Sequence, residues 1–88
     1  MKTKKGFMLR SVGNRHIVVA VGSASLEFNG LITLNETGAF IWKQLQEGCE
    51  YDELLAKLLE EYDATEEEAK AGIDAFLAEV RAANLLEE

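Results

Sequence analysis

Apolar positions recur with two different periods along this chain, and the change falls near Asn35. Before it, Phe7 to Val12 and Arg15 to Val21 are rich in apolar and β-branched residues. Between them stands Gly13-Asn14, a pair suited to the positive φ of a tight hairpin turn. Gly22 to Ser25 reads as a loop, and Leu31-Ile32-Thr33-Leu34 predicts a third short strand. Asn29-Gly30 leaves two readings of Leu26 to Phe28: an extended lead-in, which we adopt, or the arm of a second hairpin.

After Asn35 the spacing is helical. Asn35 is a good N-cap, Glu36 suits the positive helix start, and Ile41, Trp42 and Leu45 form an apolar stripe that stops before Gly48. The first helix is therefore predicted over Glu36 to Glu47. A second, about Tyr51 to Tyr62, carries leucines at 54, 55, 58 and 59 on one face. The third opens on Thr65-Glu66-Glu67-Glu68, a capping box, and its apolar set is Ala69, Ile73, Phe76, Leu77 and Val80. Asn84 suits the left-handed residue that ends it, with Leu85 and Leu86 folding back on the last turn. The expected fold class is α+β: a three-stranded antiparallel β-meander followed by a three-helix bundle, with the helices on one sheet face.

Length and charge narrow the function classes. Eighty-eight residues give room for one core, so residues 1–88 are expected to form a single domain with no deep catalytic cleft. With one Cys, no long apolar run and no apolar leader, the chain is expected to be cytoplasmic and unprocessed, with no membrane partner. The net charge of −7 is split unevenly: residues 1–46 hold six basic and two acidic side chains, residues 47–88 three basic and fourteen acidic. An acidic helical half opposes phosphate, so no nucleic-acid partner is expected.

Candidate chemistry is sparse. His16 is the only histidine and sits on a predicted strand, without the partners of a catalytic triad. Cys49, beside Glu47 and Glu50, is expected to have a raised pKa and to be a poor nucleophile. One Cys and one His fall short of a zinc site, and the seven glycines are scattered singly rather than gathered in a phosphate loop. No catalytic residue, metal or cofactor is expected. Trp42, spaced with Ile41 and Leu45, reads as core rather than as a stacking platform. Gly72, inside the third helix, costs about 1 kcal/mol relative to Ala and permits close approach of another backbone, from a packed helix or a docked peptide.

The third strand is the more informative feature. In a meander it lies at an edge, and Leu31 to Leu34 contains neither the proline nor the charge that usually blocks an edge. An extended peptide, the third helix, or a second copy of the chain in a homodimer are the three candidates to cover it.

The run from Leu31 to Trp42, followed by Glu47-Gly48, the leucines of helix two, Tyr62-Asp63 and Asp74-Ala75-Phe76-Leu77, resembles the PqqD family from Phe7 to Leu86. The Leu34-Asn35-Glu36-Thr37-Gly38 junction carries most of the likeness. The resemblance implies a winged-helix-like module, the RiPP recognition element. Such a module is a non-catalytic peptide chaperone: it binds the leader of a ribosomally made precursor peptide by strand addition and presents it to a modifying enzyme, often a radical S-adenosylmethionine enzyme. Carried over, the site would use the backbone of Leu31, Ile32 and Thr33 and side chains among Ile73, Phe76, Leu77, Val80 and Arg81. Members acting in pyrroloquinoline quinone biosynthesis typically have a shorter, often proline-containing connection before the third strand and Asp-Gly after helix one. This chain has no proline, a longer Ser23 to Gly30 connection and Glu47-Gly48. The alternative is a winged-helix DNA-binding or regulatory domain, whose recognition helix would then begin with three glutamates.

Overall fold

A computed structural model describes residues 1–22 and 31–87. The elements follow in the order β1 (Lys2–Thr3), β2 (Phe7–Val12), β3 (Arg15–Ala20), β4 (Leu31–Leu34), α1 (Glu36–Glu47), α2 (Tyr51–Glu61), α3 (Glu66–Ala82) and β5 (Leu86–Glu87). The three predicted strands are β2, β3 and β4, paired antiparallel in the order β2-β3-β4, and the three predicted helices follow them. Leu26 to Phe28 lies outside the described residues.

The β2-β3 hairpin closes on Val12↔Arg15 with Gly13-Asn14 as its two-residue loop. Gly13 alone of this pair has positive φ (61°), the type II′ arrangement, whose twist matches that of the flanking strands. The register then sorts the sheet faces. Leu9↔Val18↔Ile32 and Ser11↔His16↔Leu34 lie on one face, where Val18 and Leu34 are buried among the helices. Met8↔Val19 and Arg10↔Ile17↔Thr33 lie on the other.

Helix α1 is the central support: Ile41, Trp42 and Leu45 are essentially unexposed and join Leu54, Leu55 and Leu58 of α2 and Ile73, Phe76, Leu77 and Val80 of α3 in one core. Phe40 and Tyr62 meet edge to face at 5.6 Å and 89°, closing the contact between α1 and the end of α2. The Tyr51 hydroxyl donates to Asp74 Oδ1 at 2.8 Å, pinning the start of α2 to α3, and this bond raises the tyrosine pKa.

The caps form as the sequence predicts. Thr65 Oγ1 accepts from the Glu68 N–H (3.1 Å) while Glu68 Oε1 accepts from the Thr65 N–H (3.1 Å), and these bonds hold the Glu68 carboxyl below its usual pKa. At the far end Asn84 takes φ 62°, the Asn84 N–H donates to the Arg81 carbonyl and the Leu85 N–H to the Val80 carbonyl, a complete Schellman pair.

The short β1 and β5 were not predicted. Instead of folding back with Leu85, Leu86 leaves α3 and pairs with Thr3, and Lys2 pairs with Glu87. The Lys4 N–H donating to the Leu85 carbonyl (2.8 Å) and the Cys49 N–H donating to the Met1 carbonyl (3.0 Å) extend this seam across the ends of α1 and α3. The seam also buries Cys49, which is 6% exposed. Burial is the main reason its thiol pKa rises; Glu53 and Glu50 add to the shift and Lys57 and the N-terminal ammonium oppose it. Cys49 is thus expected to resist a thiol-specific reagent at mildly alkaline pH in the folded protein and to react at once in denaturant. Equal rates in the two states would place the thiol at the surface.

Candidate functional site

β4 passes directly into α1 at Asn35, with no intervening loop. Asn35 keeps extended backbone angles (φ −80°, ψ 178°), and its Oδ1 accepts from the Gly38 N–H at 2.7 Å. A Cβ at Gly38 would stand 3.1 Å from that same Oδ1, 3.4 Å from Phe76 Cε1 and 3.5 Å from Leu34 Cβ. The glycine therefore lets the cap close and lets α1 approach the Phe76 ring of α3. Gly38→Val should cost about 1–3 kcal/mol through overpacking, in addition to about 1 kcal/mol for a disturbed N-cap. A urea midpoint unchanged from wild type would show that this junction relaxes freely.

Beside the junction lies a cavity of about 340 Å³ between β4 and α3. Thr33, Leu34, Asn35, Thr37, Gly38 and Ile41 line one side and Gly72, Ala75, Phe76 and Glu79 the other. On α3 these last four follow helical spacing of three to four, a stripe next to the buried one. Thr33 is exposed, and among the described residues β4 has a strand partner, β3, on one side only.

The hairpin fixes which β4 groups face that open side. In a two-residue hairpin the closing pair, here Val12↔Arg15, exchanges both hydrogen bonds. Bonded pairs then alternate, so Arg15, Ile17 and Val19 bond toward β2, while His16 and Val18 bond toward β4. Their partners Leu34 and Ile32 point into the sheet. Leu31 and Thr33 are left with N–H and C=O directed outward, two donors and two acceptors in a row.

Residues 15–86 match the family described as Coenzyme PQQ synthesis protein D (PqqD). The chain belongs to the PqqD family. No curated protein sequence matches it. Among solved structures, TbiB1 in complex with the TbiA(beta) leader peptide superposes with a TM-score of 0.77 at 20% identity, covering 99% of this chain and 95% of that one. Lasso peptide synthetase B1 complexed with the leader peptide superposes with a TM-score of 0.74 at 16% identity, covering 99% and 96%. These likenesses establish a shared fold.

Within this PqqD-family fold the site residues expected from sequence separate into groups. Leu31, Ile32 and Thr33 form the outer strand, with Ile32 packed toward the core. Phe76 lines the cavity and is also 7% exposed core. Ile73, Leu77 and Val80 point into the core and do not line the cavity. Arg81 sits on the last turn of α3, where its guanidinium reaches the Met1 thioether at 3.9 Å. Sequence reasoning missed Thr37, Gly38, Ala75 and Glu79 as lining residues. Their signal was present as small and polar residues flanking the core stripes of α1 and α3.

His16 and Ser11, cross-strand neighbours, share a hydrogen bond at 2.7 Å between Oγ and Nδ1. Among the described residues no group of three His, Cys, Asp or Glu is placed to hold a metal ion, and no helix is long and apolar enough to cross a membrane.

Proposed function

We propose that this chain is a non-catalytic peptide-binding module. It takes the leader segment of a ribosomally made precursor peptide as an added strand on β4 and presents the attached core segment to a modifying enzyme. The observation that carries this reading is the outward-facing backbone of Leu31 and Thr33 beside a cavity walled by α3. Membership of the PqqD family supports it, as does a fold shared with two proteins solved with leader peptides bound. The family resemblance also supports a radical S-adenosylmethionine enzyme as the recipient and the cytoplasm as the place of action. Duplex DNA is a poor ligand for α3, which opens with the exposed Glu66, Glu67 and Glu68.

Isotope-labelled protein titrated with synthetic leaders of precursor peptides encoded beside its gene tests the reading. Amide signals of Leu31 to Leu34 and of the α3 residues Gly72 to Glu79 are expected to move together. Unmoved signals at near-millimolar peptide would defeat it. Mass in solution, measured with and without peptide, separates capture of a leader from pairing of two copies through the same edge.

A further inference from the structure

Gly72 is a glycine for which the described residues show no structural use. It lies well inside the 17-residue α3, where glycine is the poorest helix former after proline. Its φ is not positive, and a Cβ built on it meets nothing within 4 Å. Gly38 is the opposite case, with three neighbouring atoms within 3.5 Å of such a Cβ. An alanine at position 72 would fit, make the helix more stable and disturb no packing among the described residues. Whatever needs the missing side chain therefore lies outside the described residues.

The surroundings indicate what that is. Gly72 forms part of the wall of the β4-α3 cavity and of a second cavity, about 400 Å³, between α2 and α3. Asn35 and Thr37 also belong to both, so the two cavities meet over the start of α1 with Gly72 opposite. Leu58, Tyr62, Ala64 and Ala69 give the second cavity an apolar lining. Glu68, the one charged residue among its described lining residues, is engaged in the Thr65 cap.

We propose that the leader groove runs on past the Leu34 end of β4, and that the peptide main chain crosses α3 over Gly72 to place an apolar side chain in the second cavity. This rests on the proposed leader binding and adds a second subsite to it. Gly72 is then an affinity-determining residue retained at the expense of helix stability. The carboxylates Glu68 and Glu79, one lining each cavity, disfavour an acidic side chain at either position.

The test uses the full chain and the leader peptide that moves the β4 amides. Gly72→Ala should raise the folding equilibrium constant about fivefold and weaken leader binding at least tenfold, while Gly72→Gln, also a good helix former, should weaken it further. Ala78→Gly, at an exposed α3 position outside both cavities, should lower stability by a similar factor and leave binding unchanged. In the wild-type complex, nuclear Overhauser contacts are expected from an apolar peptide side chain to Leu58 and Tyr62. If wild type binds the leader and Gly72→Ala binds it within twofold, or if no contact to Leu58 or Tyr62 forms, the second subsite is wrong and the β4 reading stands. If wild type binds no leader, both fall.

Discussion

Trp42→Ala is expected to remove about 3–5 kcal/mol of this protein's stability, whereas Trp42→Phe should keep most of it. Trp42 is wholly unexposed on α1 and belongs to the core cluster that also holds side chains of the sheet, α2 and α3. Truncating a buried Trp to Ala costs about 3–5 kcal/mol, and a domain of this size holds about 4–13 kcal/mol in total. At the lower end of that range nothing remains to hold the fold. Phenylalanine behaves differently because Trp42 Nε1 is buried with no hydrogen-bond partner among the described residues. An unsatisfied buried donor costs about 1–3 kcal/mol, and Phe removes it along with part of the packed ring. The two terms oppose each other, so Trp42→Phe should change stability by about 1 kcal/mol or less. Urea unfolding followed by circular dichroism resolves the pair. Equal, large losses for both variants would mean that the indole N–H is satisfied by ordered water.

Local chemistry made most of this fold legible. The Gly13-Asn14 pair defined the hairpin, Asn35 defined the strand-to-helix switch, and the Thr65-Glu68 box and Asn84 defined the two ends of α3. In each case the signal is a side chain or backbone angle that satisfies groups within a few residues. β1 and β5 escaped because two-residue strands carry no period and their pairing joins opposite ends of the chain. Cys49 shows the same limit: its charged sequence neighbours were visible, but the burial that dominates its pKa comes from a seam made by remote residues.

The groove was legible only in part. Of the α3 side chains that the family resemblance carried over to the groove, Ile73, Leu77 and Val80 are ones that helical periodicity marks as pointing inward, and the core uses them. A groove wall lies about a quarter turn away and is made of residues that hydrophobic patterning ignores, here Gly72, Ala75 and Glu79. The strand side was easier, because an edge is defined by what is missing from it. Leu31 to Leu34 has no proline and no charge, and the hairpin register then assigns its outward residues.

That register makes the largest functional prediction sharp. Thr33→Pro should weaken leader binding ten- to hundredfold with little loss of folding, while Ile32→Pro should unfold the protein. Both substitutions place a proline in the same four-residue strand, one position apart. The Thr33 N–H points away from β3, so its removal takes nothing from the sheet, and proline is tolerated at such edge positions. A docked strand would lose one bond there, worth about 0.5–1.5 kcal/mol, and the ring would hold its neighbouring bond off as well. Two weakened bonds span about one to two powers of ten in affinity. Ile32 instead donates to Val18 in the centre of the sheet, and its proline removes a ladder bond while disturbing a side chain packed on the core. Peptide titration and thermal melts on the same two variants distinguish the cases. A Thr33→Pro protein that melts like wild type and binds leader like wild type would show that the peptide does not pair with β4. If Thr33→Pro unfolds and Ile32→Pro does not, the bonded and open positions of the strand are exchanged, and the outward row belongs to Ile32 and Leu34.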